Sequence, residues 1–185
     1  MKKFTIIGGV NGVGKSSIYG AFGAADKELG LVIDTDKITA QLGGDKLKGG
    51  KEAIRMINEC LDHGEIFTWE TTLSGNKPLK TILAAREKGY IISLYYIAVS
   101  SADESLLRIK NRVRKGGHDI PSDDVKKRFD KRFDDLIKIL PYCDTARFVD
   151  NENGFVTVGS YFKGKLELIG EYTPDWILKL KERLA

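Results

Sequence analysis

Few short stretches restrict a chain as tightly as Gly9-Val10-Asn11-Gly12-Val13-Gly14-Lys15-Ser16. The run follows the pattern G-x-x-x-x-G-K-[ST]. Its glycines let the backbone take positive φ and bring N–H groups close to a polyphosphate. A lysine at this position reaches the β- and γ-phosphates, and the following hydroxyl ligates Mg²⁺. The pattern requires a strand before it and a helix after it. Phe4-Thr5-Ile6-Ile7 is β-branched and aromatic and ends at Gly8-Gly9, as a buried strand should. Residues Ser16 to Phe22 suit a helix start, whose positive end would face the phosphates. The expected ligand is a purine nucleoside triphosphate with Mg²⁺, held by Gly9, Asn11, Gly12, Val13, Gly14, Lys15, Ser16 and Ser17, with Ser16 on the metal.

Alternation of strand and helix continues along the chain. Leu31-Val32-Ile33, Ile66-Phe67-Thr68-Trp69, Tyr90–Val99 and Ala146–Val149 read as further strands. Lys51–Asp62 carries apolar residues at Ala53, Ile54, Ile57 and Leu61, one helical face. Leu79–Lys88, Ser101–Arg114, Ser122–Leu140 and Asp175–Leu184 read as helices too. The fold class expected is α/β: a P-loop NTPase with a parallel five-stranded sheet and helices on both faces. Phe155–Ser160 and Leu166–Ile169 add a C-terminal β-hairpin, joined through Lys163-Gly164-Lys165 and followed by the last helix. A chain of 185 residues suits one domain over 1–185. Its lid would lie at about 108–121, and the C-terminal hairpin and helix at about 155–184.

Composition excludes some classes. No apolar stretch approaches the ~20 residues of a membrane span. The start of the chain runs directly into the first strand, so no signal peptide is expected and a cytoplasmic location follows. The net charge is +4, and much of the basic excess sits between Arg108 and Arg132. Without aromatic interleaving, that segment suits a phosphate-transfer site better than a nucleic-acid surface. Cys60 and Cys143 lie outside metal-ligand spacing and read as free thiols. The histidines form no ligand cluster, and His63 precedes Gly64 at an expected helix end.

Ligands of open parallel sheets bind at the carboxyl ends of the strands. Three polar groups fall there: the phosphate loop, Asp34-Thr35-Asp36, and Glu70-Thr71-Thr72-Leu73-Ser74-Gly75. A kinase needs an acidic residue to accept the proton of an acceptor hydroxyl. Asp36 is the expected base, with Asp34 nearer the sheet and able to cap the next helix instead. Glu70 could bind acceptor hydroxyls, help position water around Mg²⁺, or hold the phosphate-loop backbone by a hydrogen bond. Thr71, Thr72 and Ser74 could meet a polar acceptor or cap a helix. Arg108, Lys110, Arg112, Arg114 and Lys115 form the expected lid, with Gly116-Gly117 as its joint; a solvated helix face is the alternative. Arg128 and Arg132, four apart, could serve the same site.

Together, Gly9–Ser17, Ile33-Asp34-Thr35-Asp36, Trp69-Glu70-Thr71-Thr72-Leu73-Ser74-Gly75 and Arg112-Val113-Arg114-Lys115-Gly116-Gly117-His118-Asp119-Ile120-Pro121 resemble the zeta toxin-like family of small P-loop ATPases and kinases. The resemblance covers about Lys2 to Asn151. It implies a phosphotransferase using ATP with Mg²⁺. Zeta toxins phosphorylate UDP-N-acetylglucosamine on the sugar 3′-hydroxyl, and an antitoxin blocks their nucleotide site. By this resemblance Lys15 holds the phosphates, Ser16 the metal, Asp36 activates the acceptor hydroxyl, Glu70 and Thr72 bind the sugar nucleotide, and one or two of Arg108, Arg112 and Arg114 are lid arginines. The expected catalytic set is Lys15, Asp36, Arg112 and Arg114, and the expected substrate contacts are Asp36, Glu70, Thr71 and Thr72. It also implies a small-molecule hydroxyl acceptor and an antitoxin-like partner. The chain departs from the toxins in a short, Gly-rich segment after Asp36 (Gly43–Gly50), which leaves the acceptor open. Other acceptors, such as a metabolite, a nucleoside or a nucleic-acid 5′-hydroxyl, fit the same chemistry. So does an ATP-gated switch that carries no acceptor at all.

Overall fold

The structure, a computed structural model, describes residues 1–21 and 29–185. Seven strands form one mixed sheet: β1 (Lys3–Gly8), β2 (Leu31–Asp34), β3 (Phe67–Thr71), β4 (Ile91–Ala98), β5 (Thr145–Asp150), β6 (Val156–Phe162) and β7 (Lys165–Leu168). Their order is β2-β3-β1-β4-β5-β6-β7. The first five are parallel, while β6 and β7 pair antiparallel. The expected sheet of five parallel strands beside a separate hairpin is thus corrected. The hairpin is not an appendage: β6 pairs with β5 and extends the main sheet. Its turn places Lys163 and Gly164 both at positive φ, 47° and 84°, the geometry of a tight two-residue hairpin.

The helices are α1 (Thr35–Gln41), α2 (Lys46–His63), α3 (Lys77–Glu87), α4 (Ala102–Arg114), α5 (Ser122–Ile139) and α6 (Asp175–Leu184). Successive side chains on a strand face opposite ways, so one sheet face carries Phe4, Ile6, Phe67, Trp69, Ile92, Leu94, Tyr96 and Phe148. On it pack Ile57 of α2, Ile82 of α3, Leu136 of α5 and Trp176 of α6 in one continuous core. The opposite face offers Ile7, Ile97 and Val149 to Val10 and Val13 of the phosphate loop and to Ile18. Phe129 of α5 and Ala102 of α4 join this second cluster, while α2, α3 and α6 pack in the first. Ile18 belongs to a short 3-10 helix, Lys15–Gly20, which stands where the sequence suggests a helix over Ser16–Phe22; Phe22 lies outside the described residues.

α2 starts at Lys46, five residues before the expected Lys51. Asp45 caps it by accepting from the N–H groups of Leu47 and Lys48. Gly49 and Gly50 are therefore helical, not part of a loop. Gly49 lets α1 and α2 touch: a Cβ there would sit 2.0 Å from Thr39 Oγ1.

Candidate active site

The phosphate loop joins β1 to the 3-10 helix, with Gly9, Gly12 and Gly14 at positive φ. Space demands glycine as strongly as φ does. A Cβ would lie 2.3 Å from Ile97 O at Gly9, 2.4 Å from Ser105 O at Gly12 and 2.4 Å from Asn151 Nδ2 at Gly14. The loop is thus wedged between β4, α4 and the segment after β5. Val13 is fully buried, and its carbonyl accepts from Asn151 Nδ2 at 2.8 Å.

Register brings the acidic strand ends together. Asp34 on β2 pairs with Glu70 on β3, and Glu70 with Ile7 on β1. Asp34 caps α1, accepting from the N–H groups of Asp36 and Lys37 at 3.0 and 3.1 Å. Asp36, two residues later, is exposed, and Asn11 Nδ2 donates to its Oδ2 at 3.4 Å. Glu70 accepts from Ser16 Oγ at 2.8 Å and from Tyr19 OH at 3.4 Å. Burial pushes the Glu70 carboxyl above its ordinary value, opposed by the charge of Lys15. Burial likewise pulls the Lys15 ammonium below its ordinary value, opposed by Glu70, Asp36 and Asp34. Lys15 Nζ donates to Val10 O at 3.1 Å.

Two cavities open over these residues. One, about 690 Å³, is lined by Asn11, Gly12, Gly14, Ser16, Ser17, Arg108, Arg112 and Asn151. The other, about 210 Å³, is lined by Trp69, Thr71, Thr72, Lys46, Lys77 and Arg128. Lys15, Asp34, Asp36, Glu70 and His118 line both.

The lid residues divide. Arg108 pairs with Glu104 and donates to Glu152 O at 3.0 Å; Arg112 donates to His118 O at 2.7 Å. Arg114 lines neither cavity and is exposed at the end of α4, because two residues of helix carry it off the face of Arg108 and Arg112. Gly116-Gly117 closes α4 tightly: Gly117 N donates to Arg112 O at 2.9 Å, and a Cβ on Gly117 would sit 2.5 Å from Arg112 Cγ. Arg132 is half-buried, stacked over Phe129 at 3.7 Å and Phe133 at 4.3 Å, and lines neither cavity. Gly9 and Val13 line neither cavity; they hold the loop against the sheet. Thr71 Oγ1 accepts from Leu73 N at 3.2 Å, and Thr72 Oγ1 donates to Ser74 Oγ at 3.2 Å.

Sequence reasoning singled out neither His118, Asn151 nor Lys77, whereas Lys46 lies in the Gly43–Gly50 segment offered as part of the acceptor pocket and lines the smaller cavity. For His118 a signal existed, since it lies inside the Gly-Gly-His-Asp-Ile-Pro segment. Lys77 starts α3 two residues past the Glu70–Gly75 run, and Asn151 follows the end of β5.

An uncharacterised protein of Haemophilus influenzae is 34% identical over 126 residues, spanning 65% of this chain and 88% of that protein. The chain belongs to one family with it. No family model matches. Among solved structures, a chain of the PezAT chromosomal toxin–antitoxin system of Streptococcus pneumoniae superposes with a TM-score of 0.68 at 17% identity, over 100% of this chain and 86% of that one. A chain of the AvrRxo1-ORF1:-ORF2 complex with ATP superposes with a TM-score of 0.70 at 17% identity, over 98% of this chain. This chain spans 64% of the length of that AvrRxo1 chain. The fold is the one these chains have, in keeping with the resemblance to the zeta toxin-like P-loop family.

Proposed function

We propose that this protein is an ATP-dependent phosphotransferase that moves the γ-phosphoryl group of ATP to a hydroxyl of a small molecule. The observation that carries the reading is the junction of the two cavities at Lys15, Asp34, Asp36, Glu70 and His118. A transferase needs donor and acceptor sites that meet at the reacting atoms, with a cation and a base between them. The larger cavity borders the phosphate loop and suits the nucleotide. The smaller one suits an acceptor.

The residues fit both expected cofactors. Glycines that a Cβ would overfill make a cradle for phosphates. Ser16, Glu70 and Asp34 offer only oxygens, which suits Mg²⁺, an ion that takes one or two protein oxygens beside phosphate and water. When bound, Mg²⁺ neutralises charge on the β- and γ-phosphate oxygens. Ser16 would hold it, with Glu70 fixing the Ser16 hydroxyl. Lys15 would turn from Val10 O to the phosphates. Asp36 would take the proton of the acceptor hydroxyl as the new O–P bond forms and the bond to the departing diphosphate breaks. Arg112, and Arg108 behind it, would supply positive charge over the nucleotide. Glu70, Thr71 and Thr72 would contact the acceptor.

Two further elements belong to this reading. The similar chains come from a toxin–antitoxin system and a two-protein complex, which supports an antitoxin-like partner. Use of ATP supports a cytoplasmic site of action; among the described residues no helix is long and apolar enough to cross a membrane.

The test is ³¹P NMR of the purified protein with ATP and Mg²⁺, with and without UDP-N-acetylglucosamine. A new phosphomonoester signal that Lys15→Ala abolishes supports transfer to that sugar nucleotide. ATP binding without an ester drops that acceptor and moves the search to a metabolite panel. No ATP binding at all sinks the reading.

A further inference from the structure

Asn11 is 2% exposed, although it occupies a variable position of the phosphate-loop pattern. Its amide bridges two charged groups from different elements. Arg128 Nη1, on α5, donates to Asn11 Oδ1 at 2.5 Å. Asn11 Nδ2 donates to Asp36 Oδ2 at 3.4 Å. Chemistry dictates this orientation of the amide. A guanidinium has only donors and a carboxylate only acceptors, so the oxygen must face Arg128 and the nitrogen Asp36. Few side chains of this size present one of each. Alanine would leave the Arg128 donor without this acceptor; aspartate would keep it but turn an acceptor toward Asp36.

Asp36 is otherwise exposed, with no hydrogen-bond donor to its carboxylate besides Asn11 among the described residues. A free aspartate samples several rotamers, whereas a base must be held in reach of one proton. Arg128 lines the acceptor cavity, and Asn11 lines the nucleotide cavity. The relay therefore crosses the junction of the two.

We infer that Asn11 is a positioning residue: its amide, oriented by Arg128, holds the Asp36 carboxylate toward the acceptor proton. This inference rests on the phosphotransferase reading above. Asn11 acts through Asp36 and is not required to touch the reacting atoms. The 3.4 Å separation is that of a contact which tightens as the site assembles.

The experiment measures phosphate release from ATP with Mg²⁺ in the full chain, water serving as acceptor, together with thermal melting. Asn11→Ala and Asn11→Asp should each lower kcat by about tenfold or more, leaving the KM for ATP within about twofold. Asn11→Asp is the sharper variant, because it preserves shape and the Arg128 bond while replacing the donor to Asp36 by a carboxylate oxygen that repels it. In the Asp36→Asn background, Asn11→Asp should change the residual rate by less than about twofold, since the two act as one unit. Full kcat in Asn11→Asp, or an equal loss in both backgrounds, overturns the inference. A loss confined to the KM for ATP also overturns it and makes Asn11 a nucleotide contact. Absence of turnover in the wild-type protein, with or without UDP-N-acetylglucosamine, is a separate outcome: it sinks the phosphotransferase reading and the relay with it.

Discussion

Ser16 Oγ lies 2.8 Å from Oε1 of Glu70 and donates to it, joining the phosphate loop to the end of β3 across 54 residues of sequence. The bond sets the hydroxyl expected on Mg²⁺ beside a buried carboxylate. It also makes Glu70 the residue through which stability and site chemistry meet.

Burial raises the Glu70 pKa above its ordinary 4.5 in the folded chain. The folded protein then holds that proton more tightly than the unfolded chain does. Its stability is fullest below the ordinary value and falls as pH rises through the raised one. Glu70→Gln abolishes this loss while still accepting from Ser16. Its melting temperature relative to wild type should rise between about pH 4 and pH 7, while Mg²⁺-dependent turnover falls. Calorimetry at the two pH values decides; a variant that melts lower at neutral pH would mean that the charge of Lys15 outweighs burial.

Lys15 is 6% exposed and its Nζ donates only to Val10 O. Burial lowers its pKa, so the ammonium costs the fold stability at every pH below the ordinary value of 10.5. Lys15→Met should therefore melt no lower than wild type, yet lose ATP affinity and turnover. Isothermal titration with ATP and Mg²⁺ beside a melting curve separates the two effects. Unchanged ATP affinity would remove Lys15 from the phosphate site.

Asp36→Asn keeps shape, and the side chain is exposed, so stability should stay within about 0.5 kcal/mol of wild type. Phosphoryl transfer should drop by about 100-fold or more while ATP still binds. Full transfer in this variant would assign the base elsewhere at the junction, with His118 next in line.

How much of this was legible before the structure depended on range. The phosphate loop, β1 and β3 announce themselves through runs such as Phe4-Thr5-Ile6-Ile7, because a buried parallel strand needs little beyond its own residues. The partner of a strand is another matter. Phe155–Ser160 shows a hairpin, yet nothing in its alternation tells whether it stands alone or adds to β5. Asp34 and Asp36 illustrate the same limit at the site. Both carboxylates line the two cavities, and only the turn into α1 decides that the first is tied up capping the helix while the second is exposed. Arg112 and Arg114 differ by helical phase alone. Asn151 braces a loop 138 residues away, a separation at which no local pattern speaks.

Gly12→Ala tests the wedge around the loop. Its Cβ would meet Ser105 O at 2.4 Å with φ at +84°, so neither rotation nor a small shift relieves it. A cost of about 1–3 kcal/mol is expected, with loss of ATP binding. Gly43→Ala is the control: its φ is +75° but a Cβ there meets nothing within 4 Å. It should cost about 1 kcal/mol from backbone strain alone and leave nucleotide binding intact. Urea melts and ATP titrations of both report the difference; equal ATP affinity in the two variants would refute the wedge.

The phosphate loop is also tied to the far end of the chain. Asp150, at the end of β5, is 1% exposed and accepts from Trp176 Nε1 of α6 at 2.7 Å, from Glu152 N at 3.0 Å and from Tyr172 OH at 3.4 Å. The next residue, Asn151, is pinned through its own N–H to Ala98 O at 3.0 Å, and its side chain donates to Val13 O at 2.8 Å inside the loop. The hydrogen bonds thus run from α6 through the end of β5 to the phosphates' cradle. Asn151→Ala removes one part-buried hydrogen bond, worth about 1 kcal/mol, and should weaken ATP binding by roughly fivefold. Trp176→Phe keeps most of the packing but takes a donor from a buried carboxylate. It should lower the melting temperature more than Asn151→Ala does, and weaken ATP binding although Trp176 lines neither cavity. Nucleotide titration of both variants settles whether the brace transmits. If Trp176→Phe melts lower but binds ATP like wild type, the end of β5 holds its shape without α6, and the connection ends at Asp150.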